Sequence, residues 1–191
     1  MGSLLTYFIE SSAITIFVLL LLSAYFIAAF WVFFDRYYIL RKRVETESKS
    51  LKALYTGQSN SAHTTSLIYT YLSRVNRPNK AILEAASSDA VRVSTKGLTI
   101  LSIIASTSPF IGLFGTVVGI LETFTNLGSQ NSASLSVVAP AISEALIATA
   151  AGIAVAIFAY TFHLLLKRKA YELSSLLSSQ AEVILSQTHE E

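Results

Sequence analysis

Three stretches of the chain are apolar for longer than a soluble core helix requires, and polar, charge-bearing sequence separates them. The first runs from Ala13 to Phe34, interrupted only by Thr15 and Ser23. At 1.5 Å per residue these positions span about 33 Å as a helix, enough for a hydrocarbon core of about 30 Å. A second run extends from Gly97 to Phe124 and a third from Pro140 to Leu166, uncharged apart from Glu122 and Glu144 near one end of each. The pattern predicts an all-α, polytopic membrane protein with transmembrane helices over 13–34, 97–124 and 140–166. No Lys or Arg precedes the first run, and the run is too long for a cleaved signal peptide.

The segments between the spans are equally informative. Residues 1–12 form a short N-terminal segment, and 35–96 a loop of helical pieces. That loop is punctuated twice, by the turn-rich stretch Thr56–Ser66 and by Asn76-Arg77-Pro78-Asn79. No proline follows Lys80 until Pro109, so a single helix is expected to rise from Lys80 straight into the second span. Residues 125–139 form a short polar connection. The tail, 167–191, continues the third helix, with Leu173, Leu176, Leu177, Val183 and Ile184 as its apolar face. Two of the three spans are thus extended into the cytoplasm.

Charge sets the orientation. Eleven of the 14 Lys and Arg residues lie between Asp35 and Lys96, and the other three are Lys167, Arg168 and Lys169. The N-terminus and the 125–139 connection carry none, so the positive-inside rule places those two segments in the periplasm and the loop and tail in the cytoplasm. Trp31, Tyr37 and Tyr38 fit an aromatic belt at the inner boundary. Only 14% of the residues are charged, against about 25% in a typical soluble domain. A net charge of +2 is too small for a nucleic-acid binder. There is no cysteine for a disulfide or a thiolate site, and His63, His163 and His189 are too far apart for metal-ligand spacing. No cofactor or metal is expected.

The spans are of two kinds. The first is large and apolar all round, as expected of a helix facing lipid. In the second, Ser102, Ala105, Pro109, Gly112, Thr116, Gly119 and Thr123 recur at steps of three and four, a stripe of small and hydroxyl residues on one helix face. In the third, Ala141, Ala145, Ala148, Gly152, Ala156, Ala159 and His163 do the same. Two readings of these stripes stand. Small residues let backbones approach closely, and Gly115-xxx-Gly119 is one instance; alternatively, the hydroxyls of Ser102, Thr116, Thr123 and Thr149 hydrate a path or bind a partner's polar group. Pro109 bends its helix, either as a packing kink or as a hinge.

Glu144 is the sharpest candidate, because an ionisable side chain within a span is costly and by default functional. Four residues past Pro140, it could equally be a carboxylate placed at a helix N-terminus by the macrodipole. Glu122 reads as a solvated outer-end residue and His163 as an interfacial one. Thr116 lies six residues below Glu122 and Thr149 five below Glu144, so on antiparallel neighbours the two threonines share a depth.

Two segments carry a resemblance. Thr95–Phe124 (TKGLTILSIIASTSPFIGLFGTVVGILETF) resembles one signature of the ExbB/TolQ branch of the MotA/TolQ/ExbB proton-channel family, and Val138–Phe158, around AISEALIATA, resembles the other. The proton-channel domain is expected over about 65–180. The resemblance implies a ring-like, pentameric homo-oligomer in the bacterial inner membrane, enclosing the single spans of an ExbD- or TolR-like partner dimer. It implies that protons drive the complex to energise TonB or TolA, for outer-membrane nutrient uptake or envelope integrity. By position, Thr116 and Thr149 match the pore threonines, Glu144 the third-span carboxylate and Pro109 the second-span proline. Gly112, Gly115, Gly119 and Gly152 are the tight-packing positions. Ser108, Val118 and Phe158 depart from the pattern, standing where the family has alanine, an aromatic residue and proline, respectively. The MotA branch fits less well, having four spans.

A non-conducting oligomeric scaffold is the competing reading, although it needs neither Glu144 nor the hydroxyls. An enzyme is disfavoured, since G-x-S-x-G and H-E-x-x-H are both absent. An independent transporter is disfavoured too, for want of an inverted repeat.

Overall fold

A computed structural model describes residues 13–56, 66–68, 80–130 and 135–188. Four long helices account for nearly all of them: α1 (Ala13–Thr56), α2 (Lys80–Ser94), α3 (Leu98–Gln130) and α4 (Leu135–Thr188). Three of these, α1, α3 and α4, each contain a stretch long and apolar enough to cross a membrane. The N-terminal segment 1–12, residues 57–65 and the Asn76–Asn79 punctuation lie outside the described residues.

The chain divides into two compact units. One comprises residues up to Val32 with Ile100–Phe162; the other is Phe33–Thr99 with His163–Glu191. In the first, or membrane, unit, the backbone hydrogen bonds are closed within helices, as lipid demands. Its buried positions are small or branched: Thr15, Val18, Leu22 and Ala29 on α1, Leu101, Ile104 and Ser108 on α3, and Ala145, Ala148, Val155 and Ala159 on α4. Large side chains such as Phe17, Phe110, Leu121 and Ile157 face outward. The first span is therefore not uniform, because α1 hides a stripe at steps of three, four and seven. An all-apolar sequence could not reveal that stripe, since lipid and protein neighbours favour the same residues.

The charge-bearing unit is built differently. Leu40, Val44 and Leu54 on α1, Leu83, Ala86 and Ala90 on α2, and Leu166, Ala170, Leu173 and Leu177 on α4 are buried at steps dominated by three and four. This is the spacing of an amphipathic bundle in water. The expected face of the tail holds at Leu173 and Leu177. Leu176, Val183 and Ile184 are only half-buried, while Gln180 and Ala181 are covered instead.

Two helix boundaries differ from expectation. The helix from Lys80 does not run unbroken into the second span, because Thr95–Gly97 interrupts it and Gly97 has a φ of 99°. Glycine adopts that left-handed conformation without the Cβ clash that other residues suffer. The end of α2 is capped by hydroxyls: Ser94 Oγ donates to the Ala90 carbonyl at 2.6 Å and Thr95 Oγ1 to that of Val91 at 3.0 Å. The second difference is that α4 begins at Leu135, ahead of Pro140, rather than at the proline. So near a helix start, proline removes a single bond, to the Ser136 carbonyl, and the helix tolerates it. Likewise α3 continues to Gln130, so helix occupies much of the predicted 125–139 connection.

Candidate functional site in the membrane unit

Residues 108–119 of α3 and 145–152 of α4 meet in a close approach within the membrane unit. A Cβ built on Gly112 would lie 2.6 Å from the Ala148 carbonyl oxygen and 3.2 Å from the Cα of Gly152. One built on Gly152 would lie 2.5 Å from the Ser108 carbonyl oxygen. Those neighbours are backbone and cannot swing away, so both positions require glycine. Gly115 faces a different neighbour, with α1 Val18 Cγ1 2.9 Å from its notional Cβ. Gly119 has more room, at 3.4 Å from Ala145 Cβ and 3.7 Å from Thr15 Oγ1. The four tight-packing glycines therefore serve two interfaces, α3–α4 and α3–α1.

One turn from this crossing the two threonines meet. Thr116 Oγ1 and Thr149 Oγ1 are hydrogen-bonded to each other. Thr149 Oγ1 lies 3.2 Å from the Gly112 carbonyl, and Thr116 Oγ1 lies 3.2 Å from both the Gly112 and the Ala145 carbonyls. Each hydroxyl has one proton to donate and lone pairs to accept with, so three oxygen acceptors share two protons across the helix boundary. Thr116 is 8% exposed and Thr149 half-buried. Several other hydroxyls in the spans bond only onto their own helix. Ser23 bonds the Leu19 carbonyl, Thr107 that of Ile103, Thr123 that of Gly119, Ser143 that of Ala139 and Thr161 that of Ile157. Such back-bonding satisfies a hydroxyl locally; the Thr116–Thr149 pair reaches between helices.

The remaining sequence candidates fall around this pair. Glu144 precedes Ala145, whose carbonyl faces Thr116, and is half-buried. It is the tenth residue of α4, more than two turns inside the helix, so the N-terminal dipole argument for it loses its basis. Pro109 lies within α3 and is half-buried, beside the fully buried Ser108, whose hydroxyl bonds the Ile104 carbonyl. The lower part of the expected α3 stripe is rotated. Ser102 is exposed, and Leu101, Ile104 and Ser108 occupy the buried face in place of Ser102, Ala105 and Pro109. The upper part, Gly112 and Thr116, lies on that face as read from the sequence.

Sequence reasoning treated Phe158 as a departure from a pattern and missed its partners. It joins Phe26 at a centroid distance of 5.6 Å, Phe30 at 5.9 Å and Phe162 at 6.3 Å, tying α1 to α4. It also missed a buried polar cluster in the charge-bearing unit. Glu47 is 1% exposed, and its carboxylate accepts hydrogen bonds from Ser66 Oγ at 2.8 Å, Leu67 N at 2.8 Å and Gln180 Nε2 at 2.9 Å. The step from Val44 to Glu47 along the buried face of α1 was the available signal. The expected interfacial His163 places Nδ1 3.1 Å from the Leu98 carbonyl.

The MotA/TolQ/ExbB proton channel family matches residues 59–179, which contain the glycine crossing and both threonines. The chain belongs to this family. A Helicobacter pylori (strain J99) protein named ExbB-like 1 is 42% identical over 184 residues, covering 96% of this chain and 97% of its own. The biopolymer transport protein ExbB of Pseudomonas putida is 38% identical over 104 residues, or 54% of this chain and 32% of its own. That of Neisseria gonorrhoeae is 52% identical over 69 residues, or 35% of this chain and 31% of its own. These relatives support the ExbB/TolQ branch and, with the three apolar helices, a multi-pass inner-membrane protein with a proton-channel role in energy transduction.

Proposed function

We propose that the chain is the proton-channel subunit of an inner-membrane motor, and that Thr116 and Thr149 line its proton pathway. The observation that carries this reading is the hydroxyl pair itself: two threonines at one depth, hydrogen-bonded to each other across α3 and α4, with Thr149 also reaching the Gly112 carbonyl of α3 and Thr116 the Ala145 carbonyl of α4. Hydroxyls that both donate and accept can stabilise either protonation state of a carboxyl group brought to the same depth by a partner. In this reading the chain forms a pentameric ring with its N-terminus periplasmic and its C-terminus cytoplasmic. An ExbD- or TolR-like single-span partner supplies the carboxyl group, and the complex energises TonB or TolA. Glu144, beside Ala145, guards the outer end of the path, Pro109 kinks α3, and the glycines hold the helices close. Moving one charge through the membrane potential is worth about 2.3 kcal/mol per 100 mV, so a few protons suffice to move a partner helix.

A second reading, a non-conducting scaffold, draws on the glycine crossing alone, which needs no hydroxyl. The test uses the nearly isosteric double variant Thr116→Val, Thr149→Val. Interhelical hydrogen bonds in membranes average about 0.6 kcal/mol, so assembly should survive. Proton flux in vesicles containing the partner, and growth that depends on the system, should both fall to background. Glu144→Gln should lower flux by less. Wild-type flux in the double variant would favour the scaffold.

A further inference from the structure

We propose that the charge-bearing unit holds an anionic phospholipid headgroup in a groove between α1 and α4. The groove has a volume of about 570 Å³ and is lined by Tyr37, Leu165, Arg168, Lys169, Tyr171 and Ser175 among others, a size ordinary for a small-ligand site.

Depth is the first reason. The apolar run of α4 ends at Leu166, so Arg168 and Lys169 stand about 3–5 Å beyond it at 1.5 Å per residue. Tyr37 stands about 4.5 Å beyond Phe34, the end of the apolar run of α1. The headgroup layer is the region about 5–7 Å thick on each side of the hydrocarbon core. All three side chains therefore lie at the level of lipid phosphates, while Leu165 is still level with acyl carbon.

Charge is the second. Lys169 is engaged by Glu172 at 2.7 Å, which cancels both. Arg168 is exposed and forms no hydrogen bond or ion pair among the described residues. The groove thus keeps one uncompensated guanidinium, whose planar fork of donors suits a phosphate. The Tyr37 hydroxyl adds a donor at the level of the phosphate, and that of Tyr171, about 7.5 Å past Leu166, one for the glycerol of a phosphatidylglycerol-type head, while Ser175, about 13.5 Å past Leu166, lines the aqueous end of the groove. The groove offers less to a zwitterionic head, because its ammonium would meet Arg168 while Glu172 is already taken. Basic pockets beside membrane helices are a recurrent setting for anionic lipids.

The test is native mass spectrometry of the full chain released from nanodiscs of equal parts phosphatidylglycerol and phosphatidylcholine. Wild type should retain phosphatidylglycerol in preference to phosphatidylcholine. Arg168→Gln should lower that retention about fivefold, the effect of one basic residue at a membrane surface, and Arg168→Lys should restore part of it. Ser175→Trp, which fills the groove and leaves every charge in place, should lower it as well. Equal retention of the two lipids, or retention unaffected by Arg168→Gln, overturns the proposal. So does a loss with Arg168→Gln that Ser175→Trp does not reproduce, since surface charge alone would explain it. A second copy of the chain is the competing occupant. As there is no native cysteine, ready disulfide formation between a Tyr37→Cys copy and a Ser175→Cys copy would also overturn the proposal.

Discussion

At the Gly112–Gly152 crossing the contact is backbone on backbone, with Cα atoms close enough that a single added carbon would meet a carbonyl oxygen at 2.5–2.6 Å. In the charge-bearing unit the contacts are made by side chains, with Leu40, Leu83, Leu166, Leu173 and Leu177 wholly buried and Glu47 and Gln180 buried as well. The difference follows from the solvent. In water, leucine burial is favourable by about 25 cal/mol per Å² of apolar surface, so large side chains hold the bundle. In lipid a leucine gains nothing by moving from acyl chain to protein, and association depends on close packing and interhelical hydrogen bonds. Glycine and threonine hold the membrane unit at the crossing for that reason, and most of its large side chains, Phe17, Phe110 and Leu121 among them, point outward, while Leu22 and Leu101 are buried.

The contrast can be broken most forcefully at the crossing. Gly112→Leu or Gly152→Leu should abolish folding of the membrane unit, because rigid backbone stands where the side chain would go. Gly119→Ala, with 3.4 Å of room, should leave it near wild type. Yield and thermal melting after mild detergent extraction check both, and a Gly152→Leu variant that melts like wild type would refute the packing account of the membrane unit.

Next in size is the polar cluster. Glu47→Ala removes the acceptor of Leu67 N and one acceptor each of Ser66 and Gln180, which keep Gln180 Oε1 at 3.0 Å and the Glu47 backbone carbonyl at 2.8 Å. Leaving a donor unsatisfied costs about 1–3 kcal/mol, so thermal unfolding of the charge-bearing unit should shift down by a few degrees. Glu47→Gln keeps one acceptor oxygen and should cost less; equal melting of both variants with wild type would show that the cluster contributes nothing.

The break between α2 and α3 predicts a smaller effect. Gly97→Ala places a Cβ in a left-handed conformation, at a cost of about 1–2 kcal/mol. Lower stability with unchanged helix content is expected, and an unchanged midpoint would argue that the helix can simply run through.

The smallest effect belongs to the surface. Glu45 is held below the usual carboxylate range by the hydrogen bond from Lys49 at 2.7 Å and by the attraction of that same charge. A lowered folded-state value means that the stabilisation is present above the ordinary value of 4.5 and disappears as pH falls through the lower one. Both side chains are well exposed, so solvent and salt screen the pair. Glu45→Gln should leave the melting temperature unchanged at pH 7, and a clear drop would mean that ion pairs matter more in this unit than burial does.

Much of the candidate site could be read along the chain. Helical spacing placed Gly112, Thr116, Ala145, Ala148 and Gly152 on facing stripes, and depth arithmetic brought Thr116 level with Thr149. The errors have physical causes. The reading rotated the lower α3 stripe by about one residue, because Ser102, Ala105 and Pro109 are small while the buried Leu101 and Ile104 are not. Size marks an interface only where backbones nearly touch. The continuous helix expected after Lys80 ignored Gly97, since a lone glycine in a helical pattern is usually tolerated. The step from Val44 to Glu47 marks the carboxylate as buried, but its partners could not be read from the sequence, because they lie 19 and 133 residues away.

The sequence by itself determined that the chain is helical, where it can cross a membrane and which stripes are small enough to let helices approach. Those properties follow from local composition and period, and hydrocarbon leaves a spanning backbone few alternatives to a helix. Only the tertiary structure decided which α1 face packs against Gly115, that Phe158 stacks with Phe26 and Phe30, and that two threonine hydroxyls share the Gly112 carbonyl. Each of these depends on the rotation of one helix about its axis relative to another. An apolar sequence surrounded by lipid carries almost no record of that rotation.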